Sequence, residues 1–202
     1  VAWFEADSTW AKYRELFLPV VFHTEDEGVA EALEDLVYSN PSGFSHKEMD
    51  DYIDLSLVLG KEGGFNWLSD KFREKDEIYS FADFKLFEHL GLNYVGTRWF
   101  FNCTKMNRIT LPSTIQKIHD QAFKGCTALT DIELPAKVTL LENEVFAGCT
   151  ALKRVIVHST TPPTMLGTDQ FPTNEGMRIY VPDESLDLYL NDYGWGKYKD
   201  YI

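Results

Sequence analysis

The side chains with the most chemical potential in this 202-residue sequence are three cysteines and five histidines. Cys103, Cys126 and Cys149 each close the pattern F-x-[GN]-C, as Phe100-Phe101-Asn102-Cys103, Phe123-Lys124-Gly125-Cys126 and Phe146-Ala147-Gly148-Cys149, at intervals of 23 residues. A cysteine nucleophile needs a neighbouring base and some exposure. A zinc site needs its ligands converging on one point, and a disulfide framework needs an even count. Identical recurrence suits none of these. It suits a core position, where a free thiol behaves as a small hydrophobe with a weak donor. His23, His46, His89, His119 and His158 form no H-E-x-x-H zinc motif. Neither a G-x-S-x-G nucleophile elbow nor a phosphate-cradling G-x-x-x-x-G-K-[ST] occurs, and His119-Asp120 reads as a solvated turn. These residues point to no catalytic centre, metal or cofactor, and so to a chain that is not an enzyme.

The elements that position the cysteines repeat with them. The same step of 23 residues carries Met106 to Leu129 to Leu152, Ile109 to Ile132 to Val155, Leu111 to Leu134 to Val157, Ile115 to Val138, and Ile118 to Leu141. A period in the twenties with apolar residues in register predicts a leucine-rich-repeat solenoid. No single repeat can bury its apolar face alone, so each must stack on its neighbours. Phe100, Cys103, Phe123, Cys126, Phe146 and Cys149 are then the structural repeat core. Leu129-x-x-Ile132-x-Leu134-Pro135 alternates as a short strand does and is ended by proline; the Ala-Phe-x-Gly-Cys piece follows a second short strand and turns a tight corner. Leu92 and Val95 lie one period before Ile115 and Ile118, which starts a degenerate half-repeat near Phe84. After Val157 the register stretches around Thr161-Pro162-Pro163-Thr164, Phe171 falls 25 residues after Phe146, and the strand returns as Ile179-Tyr180-Val181-Pro182. From about residue 183 a helix should pack Leu186, Tyr189 and Leu190 back on the last repeat, with Trp195, Tyr198, Tyr201 and Ile202 completing a C-terminal cap.

The preceding region differs in kind. Residues 1–77 carry 18 acidic against 7 basic side chains, whereas residues 78–202 carry 14 against 12. Apolar stripes at helical spacing (Trp10, Tyr13, Leu16, Phe17; then Val29, Ala32, Leu33, Leu36, Val37) predict a mainly helical region. Capping boxes at Thr24-x-x-Glu27 and Ser45-x-x-Glu48 would start helices near 25 and 46. A short amphipathic piece spans Phe65 to Phe72, and Asp70 to Glu77 is a solvated charged run. The expected fold class is α+β: a small helical N-terminal region over 1–77, then a short leucine-rich-repeat solenoid with a C-terminal helical cap over 78–202. A net charge of −13 opposes phosphate backbones and anionic membranes, so nucleic-acid binding is not expected. No apolar run is long enough to span a bilayer.

The Leu-x-x-Ile-x-Leu-Pro and Ala-Phe-x-Gly-Cys series resembles the BspA-type leucine-rich repeats of bacterial surface and secreted proteins. Thr161-Pro162-Pro163-Thr164, Ile179-Tyr180-Val181-Pro182, and Tyr189 with Gly194-Trp195-Gly196-Lys197-Tyr198 look like the C-terminal ending of such proteins, so the resemblance covers about residues 78–202. It implies a non-catalytic protein-interaction or adhesion module, extracellular or cell-surface, whose signal sequence has been removed. Its partner would be a host or other-cell surface protein. Many relatives carry a calcium-loop-like segment ahead of the repeats; here Gly43-Phe44-Ser45-His46-Lys47-Glu48 matches only its second half. Ser39, Asn40, Pro41 and Ser42 replace the acids that calcium requires, so a helix-pairing turn without metal is expected.

The best binding surface is the outward row of the main strand, Thr110, Glu133, Ile156 and Tyr180, together with the row before it, Arg108, Asp131, Arg154 and Arg178. Rungs about 4.8 Å apart would let Arg108, Asp131 and Arg154 pair as a charge ladder. The functional reading makes Arg108, Glu133, Arg154, Ile156, Arg178 and Tyr180 partner-binding residues. The alternative is a carbohydrate-binding surface protein with tryptophan platforms from Trp3, Trp10, Trp67, Trp99 and Trp195, although Trp99 stands at the repeat position of Ala122 and Val145, a core or near-core slot, and Trp195 belongs to the cap. A hydrolase is the third reading.

Overall fold

The computed structural model describes residues 21–24, 26–33, 52–54, 65 and 68–202. The stripe from Trp10 to Phe17, the turn at 39–43 and the helix expected near 46 lie outside the described residues. Two short strands, β1 (Val21–His23) and β2 (Tyr52–Asp54), pair antiparallel with Phe22 opposite Ile53, an addition to the helices expected there. The helix anticipated near 25 is α1 (Glu27–Ala32), with Val29 and Ala32 buried. Its cap is Asp26 rather than Thr24. The Asp26 carboxylate accepts from the backbone N–H of Val29 at 3.1 Å, while the Thr24 hydroxyl accepts from that of Asp26 at 3.2 Å. A carboxylate is also better placed than a hydroxyl at the positive end of the helix.

The chain continues through α2 (Leu68–Phe72), β3 (Ser80–Phe81) and a 3-10 helix over Ala82–Leu90. Eight short strands follow: β4 (Tyr94–Val95), β5 (Arg108–Ile109), β6 (Lys117–Ile118), β7 (Asp131–Leu134), β8 (Leu140–Leu141), β9 (Arg154–Val157), β10 (Thr164–Met165) and β11 (Arg178–Tyr180). The chain closes with α3 (Leu186–Asn191) and a 3-10 turn over Trp195–Tyr198. Pairing is parallel throughout the repeats. One ladder runs β4, β6, β8, β10, with Val95, Ile118, Leu141 and Met165 in one row. The other runs β7, β9, β11, and the β3–β5 pair extends it through a bond from the Thr130 N–H to the Asn107 carbonyl at 3.4 Å. The protein is thus a β-solenoid of about four turns, as the minor ladder's four strands count them, with a helical cap at its C-terminal end.

Inside the solenoid the repeated residues become columns. The rings of Phe72, Phe100, Phe123, Phe146 and Phe171 stack at centroid spacings of 5.2, 5.2, 5.3 and 5.3 Å, with interplanar angles of 21°, 7°, 4° and 6°. Phe72 was not part of the sequence pattern, so the column reaches into α2, beyond the half-repeat expected near Phe84. Beside it run the thiols. Cys103 donates to the Phe72 carbonyl (2.9 Å), Cys126 to that of Phe100 (2.9 Å) and Cys149 to that of Phe123 (3.2 Å). Each thiol therefore ties its rung to the preceding one. Asn174 takes the cysteine place beside Phe171, donating to the carbonyls of Cys149 and Leu152 at 2.9 and 3.1 Å. The [GN] position is set by backbone geometry: Gly125 and Gly148 sit at φ 79° and 76° and Asn102 at φ 55°, the left-handed region that glycine and asparagine enter at least cost.

Both ends of the stack are closed. Asp26 uses its second carboxylate oxygen to accept from the N–H groups of Tyr79 (2.9 Å) and Ser80 (2.5 Å), beside the first main strand. Gly28 lets α1 approach the backbone of Glu77 so closely that a Cβ there would lie 2.4 Å from its carbonyl. At the far end the Tyr201 carbonyl accepts from the Ile179 N–H at 2.7 Å. Trp195 donates to the Pro163 carbonyl (2.7 Å) and Tyr189 to that of Ser159 (2.7 Å), so the Thr-Pro-Pro insertion is the platform for the cap. One expectation for this cap is corrected. Tyr189 is buried, but Leu186 and Leu190 are exposed, at 42% and 37%, because α3 is six residues long and directs one position inward.

Candidate functional site

The main-strand face, β5, β7, β9 and β11, is shaped by simple alternation. In β7 the side chains of Ile132 and Leu134 fill the core while Asp131 and Glu133 face outward, and in β9 Val155 and Val157 are inside while Arg154 and Ile156 are outside. Parallel register then lines up outward residues across rungs: Asp131, Arg154 and Arg178 in one row, Glu133, Ile156 and Tyr180 in the next. A shallow groove of about 640 Å³ lies over the first rungs, lined by residues including Arg108, Thr110, Asp131, Glu133, Arg154 and His158.

The expected charge ladder forms in part. Arg154 Nε lies 2.6 Å from Asp131 Oδ1, and Thr130 donates to the other carboxylate oxygen at 2.7 Å. Among the described residues no ion pair joins Arg108 to Asp131. Glu133 faces His158 Nε2 at 3.2 Å. Arg178 Nη1 donates to the Met177 carbonyl at 2.7 Å, and Lys153 Nζ to that of Glu175 at 2.5 Å. Tyr180 stands 53% exposed. At the N-terminal edge of the same face, Lys105 lies 5.6 Å from the centre of the exposed Tyr79 ring. Beyond the other end of β5, Glu88 accepts from the hydroxyl of Ser113 (2.8 Å) and from its N–H (3.1 Å), which holds the Glu88 carboxyl below its usual range.

The other candidate chemistry is buried. All three cysteines are free and inside. Burial pushes the Cys103 thiol up to about 12 and raises that of Cys126 well above its ordinary value, the opposite of what a nucleophile requires. Trp99 and Trp195 are both in the core, so neither is a sugar platform; Trp3, Trp10 and Trp67 lie outside the described residues. His119 is less solvated than a free turn residue. Its Nδ1 sits 3.0 Å from Glu142 Oε1, and its ring meets Tyr94 edge-on at 5.6 Å. No group of three or more His, Cys, Asp or Glu among the described residues could hold a metal ion. No described helix is long and apolar enough to cross a membrane.

A feature absent from the sequence reading borders the opposite corner. Arg98, Gln121, Glu144 and Asp169 each adopt positive φ two residues before the column phenylalanine. Arg98 donates to Gln121 (2.6 Å), Gln121 to Glu144 (2.5 Å), and Lys124 also reaches Glu144 (2.9 Å). These bonds hold the Glu144 carboxyl low, through Lys124 foremost and then Gln121. The 23-residue spacing of Arg98, Gln121 and Glu144 was visible in the sequence, but their dissimilar side chains concealed a shared backbone role.

The family model described as BspA type Leucine rich repeat region matches residues 77–184, in 6 copies. The chain belongs to the BspA-type leucine-rich-repeat family. BspA-type repeats are interaction scaffolds, typically of surface or secreted bacterial proteins, and are not typically catalytic. No curated protein matches the chain significantly. In this BspA-type chain the variable outward rows of the main strand are the surface on which the constant interior places no demand.

Proposed function

We propose that the chain is a non-catalytic adhesion or protein-binding module of a secreted or surface-attached bacterial protein, and that it engages a host or other-cell surface protein through the β5–β7–β9–β11 face. The carrying observation is the exposure of Tyr180 beside Ile156 in adjacent parallel strands, flanked by Arg154 and Arg178. An aromatic anchor with arginines on a rigid support is the composition that hot spots favour. Arg108 and Glu133 extend the surface along the groove.

The test is capture of surface proteins from mucosal extract on the immobilised whole chain, repeated with Ile156→Thr/Tyr180→Thr. Threonine keeps strand propensity, so the melting temperature should stay within about 2 °C while the captured protein is lost. Capture that survives the double substitution refutes this face. A glycan array run in parallel decides the carbohydrate alternative: specific hits abolished by the same substitutions would replace a protein partner with a sugar.

A further inference from the structure

The outward row Arg108, Asp131, Arg154, Arg178 alternates in sign over three rungs and then repeats a cation. Arg154 and Arg178 are register partners on neighbouring parallel strands, about 4.8 Å apart at the backbone. Like charges set directly opposite one another destabilise a sheet. Each guanidinium carries five N–H donors. On Arg154 the Asp131 carboxylate engages Nε, and on Arg178 the Met177 carbonyl engages Nη1, so both retain donors. Two residues further along the same strands, on the same side, stand Ile156 and Tyr180, again register partners. The four positions form a quadrilateral: about 4.8 Å between strands and about 6.6 Å along them, with two cations on one edge and two apolar groups on the other.

We propose that this quadrilateral recognises an extended segment of a partner protein that carries a carboxylate and an apolar side chain two residues apart, an acidic-x-apolar signature. The proposal rests on the protein-binding reading above and names its recognition chemistry. In an extended peptide, residues i and i+2 point to one side at about 6.6–6.8 Å, the separation between the arginine edge and the Ile156–Tyr180 edge. A carboxylate over Arg154 and Arg178 restores the alternation of sign that the row breaks. The chain's own Asp131, at 2.6 Å from Arg154, shows how such a group is held.

The probe is a synthetic peptide with one Glu-Thr-Phe unit in Gly-Ser flanks, titrated into the isotopically labelled full chain and followed by NMR at the arginine Nε–H and strand amide signals. Expected are saturable shifts at Arg154, Ile156, Arg178 and Tyr180. Affinity should fall roughly two- to fivefold with Gln-Thr-Phe, with the carboxylate and ring made adjacent as Glu-Phe-Thr, and with Arg154→Gln/Arg178→Gln. The charge-matched Lys117→Gln/Lys137→Gln pair should leave it unchanged. Equal affinity for the Glu and Gln peptides, shifts elsewhere, or no shifts would overturn the proposal. So would binding of a sulfated polysaccharide, and not the peptide, that depends on the two arginines. If the peptide fails while capture of the surface protein still depends on Ile156 and Tyr180, the acidic signature is refuted and the binding face stands; if both fail, the face itself is wrong.

Discussion

Replacing Phe123 by alanine tests the claim that the aromatic column holds the solenoid together. Phe123 is fully buried and lies between Phe100 and Phe146, at 5.2 and 5.3 Å and within 7° and 4° of parallel. Deleting a buried phenylalanine side chain costs about 3–5 kcal/mol. Aromatic pairs add about 0.5–1.5 kcal/mol each beyond area, and two are lost here, which places Phe123→Ala near the upper end, about 5 kcal/mol. For a chain of this size that lowers the melting temperature by about 10–20 °C. The smaller reduction Phe123→Leu keeps most of the burial but loses the stacking and leaves a small void, so it should cost about 1–3 kcal/mol. The central position has a further signature. Because stability in a stack is carried between neighbouring rungs, interrupting the middle should uncouple the two ends and lower the urea m-value, which scales with the surface exposed in one transition. Urea unfolding followed by circular dichroism reads both quantities. A loss below about 2 kcal/mol for Phe123→Ala, or equal losses for alanine and leucine, would refute the reasoning.

Three other outcomes follow from the ends of the stack and its thiols. Asp26→Ala removes a helix cap and two charge-assisted bonds, to Tyr79 just before β3 and to Ser80 in it, and should cost about 2–4 kcal/mol, with faster hydrogen exchange at Tyr79 and Ser80; exchange unchanged there would contradict the docking of α1. Trp195→Ala uncovers Phe171 and orphans the Pro163 carbonyl, so it should lower stability by about 3–5 kcal/mol and raise binding of an apolar dye; a stable variant would mean that the cap is dispensable. The native thiols should resist maleimide until the chain unfolds. Because the Cys103 thiol rises from 9.0 to about 12 on folding, the folded state holds more protons above pH 9, and stability should fall as pH rises towards about 12; a flat alkaline profile would contradict its burial.

The repeat was legible wherever one residue type marks one backbone role. Phe and Cys recur because a fixed column spacing admits one shape at those places, and the outward rows followed from alternation alone. Phe72 was not, because a long excursion through Ala82–Leu90 separates it from Phe100 and Lys75 stands where a cysteine would mark the corner. Asn174 escaped for a similar reason: it replaces a thiol donor with an amide donor, a likeness of function without likeness of side chain. The β1–β2 pair joins distant segments and leaves no local period to read. In the candidate site, the rows were foreseen but the missing Arg108–Asp131 contact was not, since register fixes which residues are neighbours and leaves long side chains free to choose other partners.

The two closures, the Asp26 carboxylate on the Tyr79 and Ser80 N–H groups and the Tyr201 carbonyl on the Ile179 N–H, give the ladder a defined length. On the main-strand side, the outer strands β3 and β11 therefore meet the chain's own groups at these N–H positions rather than presenting them to a second molecule. A duplicated 23-residue unit inserted between Phe100 and Phe146 meets compatible surfaces above and below. Such an insertion would add one more rung, lengthening each outward row of the main-strand face by one residue, while leaving the contacts at Asp26 and Tyr201 in place.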